Sequence, residues 1–274
     1  MATRIFFTKS AVNLVLIVIG ILFAVPLLWV ITAAFSQSAS LTVQWPQPFS
    51  LDSFKQVMSA SNGIAFMNSF FLSTGTAIAT VILAAVAAYP LSRYQMRFKK
   101  PFLYTILFAT GLPITAMMVP VYEVYNSLNI VDSLFWTGAF LVASSLPFAI
   151  WMMKNFMDGV PVELEEAAWV DGASVLGSIL RIILPIMRPG LAAIGIFIFV
   201  GAWGNFFVPF ILIQTSSLDP AAVTIYQFFS QYGMVAYGQL AAYSILYTVP
   251  VVVLYVISSR WLGGAFNFGG AVKG

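Results

Sequence analysis

The chain has 274 residues, of which 61% are hydrophobic and 8% charged, with a net charge of +3 and a mean hydropathy of +0.95. A water-soluble domain runs at about 25% charged residues, so this composition excludes one and places the chain in the polytopic membrane class. Cysteine and histidine are both absent, which removes disulfides, thiol nucleophiles, the commonest general base and the commonest zinc ligands.

Charged residues bound six long uncharged stretches, 10–51, 56–92, 101–122, 133–153, 189–218 and 220–259. Each can hold one bilayer-spanning helix of about 20 residues. The predicted spans are 12–34, 69–91, 102–124, 134–157, 190–213 and 239–259, which makes an all-α polytopic membrane protein with six transmembrane helices. Residues 1–11 are a short basic arm, 35–68 an extracytoplasmic segment, 69–260 the core and 261–274 a tail. The first apolar run is too long for the roughly 7–15-residue centre of a cleaved leader, so it is expected to remain as a span.

The basic residues set the orientation. Arg4 and Lys9 precede the first span, and Arg93, Arg97, Lys99 and Lys100 follow the second. Lys154, Arg181 and Arg188 lie between the fourth and fifth spans, and Arg260 and Lys273 follow the sixth. Only Lys55 falls opposite these eleven, so the positive-inside rule puts both termini in the cytoplasm.

The loop 158–189 is the one long hydrophilic connection, and it holds Asp158, Glu163, Glu165, Glu166 and Asp171 among the nine acids of the chain. Pro161 suits a helix start, and the three glutamates place negative charge at that helix's positive end. Gly172 suits its end, and Ser174 suits the cap of a second helix over 175–183. That helix is expected to stop before Pro185, with Pro189-Gly190 turning the chain into the fifth span. Ala167 and Ala168 leave room for another surface to approach, and Val162, Leu164, Trp169 and Val170 offer anchors. An interfacial helix with no partner is the plainer alternative.

Glu166-Ala167-Ala168, Asp171-Gly172-Ala173 and Leu184-Pro185 together resemble the EAA signature of binding-protein-dependent ABC importer permeases. Leu146-Pro147-Phe148, Asn68-Ser69 and the ending Gly270-Ala271-Val272-Lys273-Gly274 are similar to the carbohydrate-uptake branch, in particular its maltose-system G-type subunit. Trp203-Gly204-Asn205-Phe206 departs from that branch by lacking an acid.

The resemblance implies a type I ABC importer permease fold and a bacterial or archaeal cell membrane. It also implies a coupling role for Glu163, Glu165, Glu166, Ala167, Ala168, Asp171, Gly172, Ala173, Leu184 and Pro185. The partners it implies are a second permease subunit, two copies of an ABC ATPase subunit, an extracytoplasmic solute-binding protein docking near 35–68, and a carbohydrate substrate in the lipid bilayer. Nucleic acid is not expected. Charge on Glu165 and Glu166 is expected to favour docking against basic residues of the ATPase. None of the six lysines follows a glycine, so a phosphate-binding loop is missing; ATP and Mg are expected at the separate ATPase, and the chain itself is expected to be no enzyme and to bind no cofactor or metal.

For the substrate pathway the uncharged polar and aromatic residues Thr115, Tyr122, Asn126, Trp203, Asn205 and Gln214 are candidates, with Glu123 at the rim of the third span. Helix adhesion and the interfacial aromatic belt are the competing uses of such residues. An ATP-independent carrier or channel is the alternative function. The lack of charge within the spans argues against ion-coupled transport, and no constellation for an intramembrane enzyme is present.

Overall fold

The structure is a computed structural model that describes residues 2–230 and 235–262. The tail from residue 263, with Lys273 and the Gly-Ala-Val-Lys-Gly ending, lies outside the described residues. Helix dominates, and among the described residues extended pairing is limited to one bridge between Ser36 and Phe49.

In chain order the helices are α1 (Ala2–Ala34), α2 (Asp52–Val57), α3 (Ala60–Arg93), α4 (Lys99–Ala109), α5 (Ile114–Ser127), α6 (Leu134–Asp158), α7 (Glu163–Val170) and α8 (Val175–Ser178). A π-helical turn (Ile179–Ile183) follows, then α9 (Leu184–Ile186), α10 (Arg188–Trp203), α11 (Phe207–Leu212), a 3₁₀ turn (Ser216–Leu218), α12 (Ala221–Ser230) and α13 (Tyr237–Leu262). Two compact units result, one from Met1–Gly63 with Thr224–Pro250, the other from Ile64–Val223 with Val251 onward.

In the first unit, α1 is apolar on every side and exposed at each position from Val12 to Leu28. Such a helix belongs in lipid or against a partner, because it has no polar face to give to water. The segment after it is ordered by aromatics: Phe35 stacks on Phe49 at 5.2 Å and meets Phe54 at 5.1 Å, and the Trp29 indole donates to the Ser40 carbonyl at 2.9 Å. The 35–68 segment is therefore no plain loop, since it holds α2 and the first turns of α3. In the same way α12 occupies much of 214–238.

In the second unit, α3 buries a stripe of small residues, Ser69, Ser73, Thr76, Thr80, Ala84 and Ala88. Small side chains let helix backbones approach where lipid removes most of the hydrophobic drive to associate. The core gathers Leu72 of α3, Met118 of α5, Phe140 and Leu141 of α6, and Val208 and Leu212 of α11. Gly190 marks a close helix approach: a Cβ there would lie 2.6 Å from the Phe156 ring, so α10 can meet α6 this closely only without one.

Two predicted spans are broken rather than continuous. The 102–124 span divides into α4 and α5, bent by 94°, because Gly111 and Pro113 fall at its centre and Pro113 is extended at ψ 120°. The 190–213 span ends its first part at Trp203 and resumes at Phe207, across Gly204 and Asn205. Four helices among the described residues are long and apolar enough to cross a bilayer, and six segments are if each bent pair counts as one. Two boundaries also move. The helix holding the second span opens at Ala60 instead of near 69, and Pro185 does not stop the second loop helix, which runs from Val175 to Ile186. The π turn before Pro185 widens the backbone where proline's missing N–H would have cost an ordinary helical bond. The chain then bends by 75° near Met187, leaving Pro189 in the first turn of α10 and Gly190 inside it.

Candidate functional site

The short helix α7 has two unlike faces. Glu165 and Ala168 are buried, while Glu163, Glu166, Ala167 and Val170 are exposed, the last at 88%. Its three glutamates sit in the first turn, where the helix end is positive. At the other end the Gly172 and Ala173 amides donate to Trp169 and Ala168 carbonyls at 3.0 and 2.9 Å. Gly172 stands at φ +86°, a backbone state that a Cβ would strain although space is open around it. The Ser174 hydroxyl accepts from the Gly177 amide at 3.1 Å and caps α8, and the Trp169 indole donates to Ser178 at 3.2 Å. Local chemistry thus builds a closed helical corner.

The buried face is held by charge. Arg93, the last residue of α3, pairs through Nε with Glu165 Oε1, and the Tyr89 hydroxyl donates to Glu165 Oε2 at 3.2 Å. The remaining guanidinium nitrogens donate to the Met157 and Val160 carbonyls at 3.2 and 3.1 Å, in the turn that ends α6, where the Met157 carbonyl also accepts from the Val160 amide at 3.0 Å. Both side chains are almost fully enclosed, at 7% and 1% exposure. Ser92 donates to Asp158 at 2.7 Å, and Lys154 pairs with the same carboxylate. The sequence led us to expect docking charges at both Glu165 and Glu166, but in the structure Glu165 is buried and paired with Arg93 inside the fold. Glu166, its neighbour, keeps its charge outward.

The other coupling candidates divide accordingly. Glu163, Ala167, Asp171 and Gly172 lie on the exposed side, Ala168 is buried, and Ala173, Leu184 and Pro185 are half-buried.

The pathway candidates do not converge on one place. A cavity of about 440 Å³ opens where α4, α5, α6 and α10 meet, lined among others by Thr110, Met117, Ser144, Ser145, Pro147 and Asn205. Asn205 alone of the candidates reaches it, and its Oδ1 also accepts from the Val208 amide at 3.0 Å to start α11. Trp203 is buried at 2% exposure, stacked on Phe199 at 5.8 Å, and takes no part in that wall. Its size and apolarity make it a core residue. Tyr122 is joined to Gln214, whose amide donates to its hydroxyl at 3.0 Å, and Glu123 is exposed on α5. Sequence reasoning missed Thr110 and the Ser144-Ser145 pair, whose signal was a polar doublet within an apolar span.

It also missed Asp132. Standing at φ +63°, this residue accepts from the Gln214 and Thr215 amides at 2.9 Å each and from the Thr215 hydroxyl at 2.6 Å. The Thr215 hydroxyl and those two amides hold its carboxyl below the usual carboxylate range. Burial, with a lesser contribution from the charge on Asp132, pushes the Asp219 carboxyl upward. On the same side of the unit, Asn68 donates to the Ser217 carbonyl at 2.9 Å and Ser69 accepts from the Ala221 amide at 2.7 Å.

Residues 80–264 match the family described as binding-protein-dependent transport system inner membrane component. The chain is 30% identical over 92% of its length to the probable ABC transporter permease protein YurM of Bacillus subtilis, covering 84% of it. It is 27% identical over 89% of its length to the sulfoquinovosyl glycerol transport system permease protein SmoH of Agrobacterium fabrum, covering 87% of that protein. Identity is again 27% with the arabinooligosaccharides transport system permease protein AraQ of Halalkalibacterium halodurans, over 91% of each. Among solved structures, a bacterial ABC transporter involved in import of the acidic polysaccharide alginate superposes with a TM-score of 0.80 at 21% identity, over 95% of this chain and 98% of that one, a likeness of fold. With the capped two-faced helix, the broken spans and these relatives together, the chain belongs to the family of inner membrane components of binding-protein-dependent transport systems, and is a translocation subunit rather than an enzyme.

Proposed function

We propose that this chain forms half of the translocation path of an ATP-driven importer for a carbohydrate, and that α7 is the element through which the ATPase drives it. The observation that carries the reading is the division of α7, with Glu165 locked inward on Arg93 while Glu166 and Ala167 face outward. A helix can transmit force only if one face is fixed and the other is free to be gripped. Closure of two ATP-bound ATPase subunits on the outer face would move α7, and the Arg93 pair would carry that motion to the ends of α3 and α6.

Sugar as cargo is supported by the relatives named for sugar glycosides and oligosaccharides, and by the cavity's own chemistry. Thr110, Ser144, Ser145 and Asn205 offer hydroxyls and an amide without a charge, which suits a neutral hydroxylated solute. A second permease subunit would complete the path, and a solute-binding protein would deliver cargo at the face holding 35–68. ATP and Mg would be used at the ATPase subunits. Both termini would lie in the cytoplasm of a bacterial or archaeal cell, with six crossings.

The test is Glu166→Lys and Gly172→Trp, each in the complete reconstituted complex. Substrate-stimulated ATP hydrolysis is expected to vanish while the variants remain inserted. Hydrolysis still coupled to uptake in both variants would overturn the role of α7.

A further inference from the structure

The connection from α3 to α4 carries Arg97, Lys99 and Lys100 and no acid between Tyr94 and Pro101. Arg93, just before it, spends its charge on Glu165, whereas the other three enter no ion pair among the described residues. Beside them lies an open cleft of about 400 Å³ between the last turns of α3 and the first turns of α4. Pro90, Leu91, Met96, Phe98 and Phe102 line it, and Arg97 and Lys99 complete the wall. Phe98 is 73% exposed, and Met96 and Phe102 are exposed as well. Lys99 and Lys100 also occupy the first turn of α4, which has no side-chain cap, so they add to the positive end of that helix instead of offsetting it.

An apolar cleft rimmed by uncompensated cations, where membrane-crossing helices meet the interface, asks for an occupant with two parts. It must be apolar enough to fill the cleft and must carry a negative head. A neutral lipid would leave the cations unanswered, a soluble phosphate would leave the cleft empty, and an acidic protein segment would have to bring both parts to the level of the lipid. We propose that this cleft is a binding site for an anionic phospholipid, one acyl chain lying along Pro90, Leu91 and Phe102 and the phosphate facing Arg97 and Lys99. Basic pockets between membrane helices bind anionic headgroups on this principle, and long cationic side chains reach the interface from apolar stems. The proposal needs only that the chain is embedded in a bilayer, so it does not depend on the cargo or on the role of α7.

The test uses the complete transporter in phosphatidylcholine bilayers doped with photoactivatable phosphatidylglycerol or, separately, photoactivatable phosphatidylcholine. Residues 87–102 should take label from the phosphatidylglycerol probe at least about five-fold more than from the neutral probe. Arg97→Gln with Lys99→Gln should bring that ratio to about one, Arg97→Lys should keep it, and Leu91→Trp should cut labelling by both probes by filling the cleft. Label elsewhere on the chain, unchanged in the variants, reports that they fold. Equal labelling by the two probes in the wild type, or a preference that survives Arg97→Gln with Lys99→Gln, would overturn the site. So would displacement of the lipid probe by excess glycerol phosphate, or a crosslink from this segment to the ATPase subunit.

Discussion

Asp132 gathers three donors onto one carboxylate and joins the start of α6 to the strand of chain that leaves α11. Because those bonds hold its carboxyl below the ordinary value, the folded state favours the charged form. Its contribution is therefore complete above the unfolded aspartate range, near pH 4, and is lost as pH falls through the lower folded value. Asp219 has the opposite sign: burial raises its carboxyl, so protonation favours the fold there. Hydrogen-exchange protection at the Gln214 and Thr215 amides, corrected for intrinsic rates, separates the two. We expect it to fall on acidification below about pH 4 in the wild type and to be low and flat in Asp132→Ala. Protection that stays constant on acidification would show that this carboxylate does not hold the loop.

At the scale of elements, α7 is secured by a pair of charges that belong to different helices. A buried ion pair stabilises weakly when intact but costs about 3–5 kcal/mol when one member is removed, because the survivor is left buried and unanswered. Glu165→Gln and Arg93→Met should each lower the thermal midpoint of the solubilised complex. The double variant Arg93→Met with Glu165→Leu should recover more than half of that loss. Recovery would stop short of the wild type, since the Met157 and Val160 carbonyls would still lack the guanidinium. Single variants that unfold with the wild type would remove the pair from this account. The same helix shows where sequence reasoning succeeds. Its acidic first turn, the glycine at its end and the serine cap after it act between residues a few positions apart, so they are legible in the chain. Which glutamate turns inward is not, because the answer lies 72 residues away in Arg93. The breaks in the third and fifth spans escaped for a related reason: hydropathy averages across Gly111-Leu112-Pro113 and Gly204-Asn205, and an apolar stretch reads alike whether straight or bent. Trp203 misled because a tryptophan in a span reads equally as pathway or core, and only its stacking on Phe199 decides.

At the scale of the whole molecule, contacts within the second unit bear on how many times the chain crosses the bilayer. Arg93 ends α3 and Glu165 follows α6, yet they touch, so both lie on one face. Between them runs the bent pair α4–α5 and then α6. If the bent pair re-entered without crossing, α6 alone would carry the chain to the opposite face and the contact could not form. Asn68, near the start of α3, touches the Ser217 carbonyl after α11, and the same parity argument applies to the run from Val175 through the bend near Met187 and α10 to the end of α11. We therefore expect each bent pair to cross once, which with α3, α6, α1 and α13 would make the six crossings proposed above. The positive-inside rule then gives the direction proposed above, since Arg97, Lys99, Lys154, Arg181 and Arg188 lie in or beside the two connections that the Arg93–Glu165 pair joins. A tag inserted beside Gln47 should be reached by an impermeant reagent in intact cells. Tags within 160–180 or after Gly274 should be protected until the membrane is opened. Labelling of the C-terminal tag from outside would invert the orientation, and labelling of 160–180 but not of the C-terminus would mean that one of the later segments does not cross.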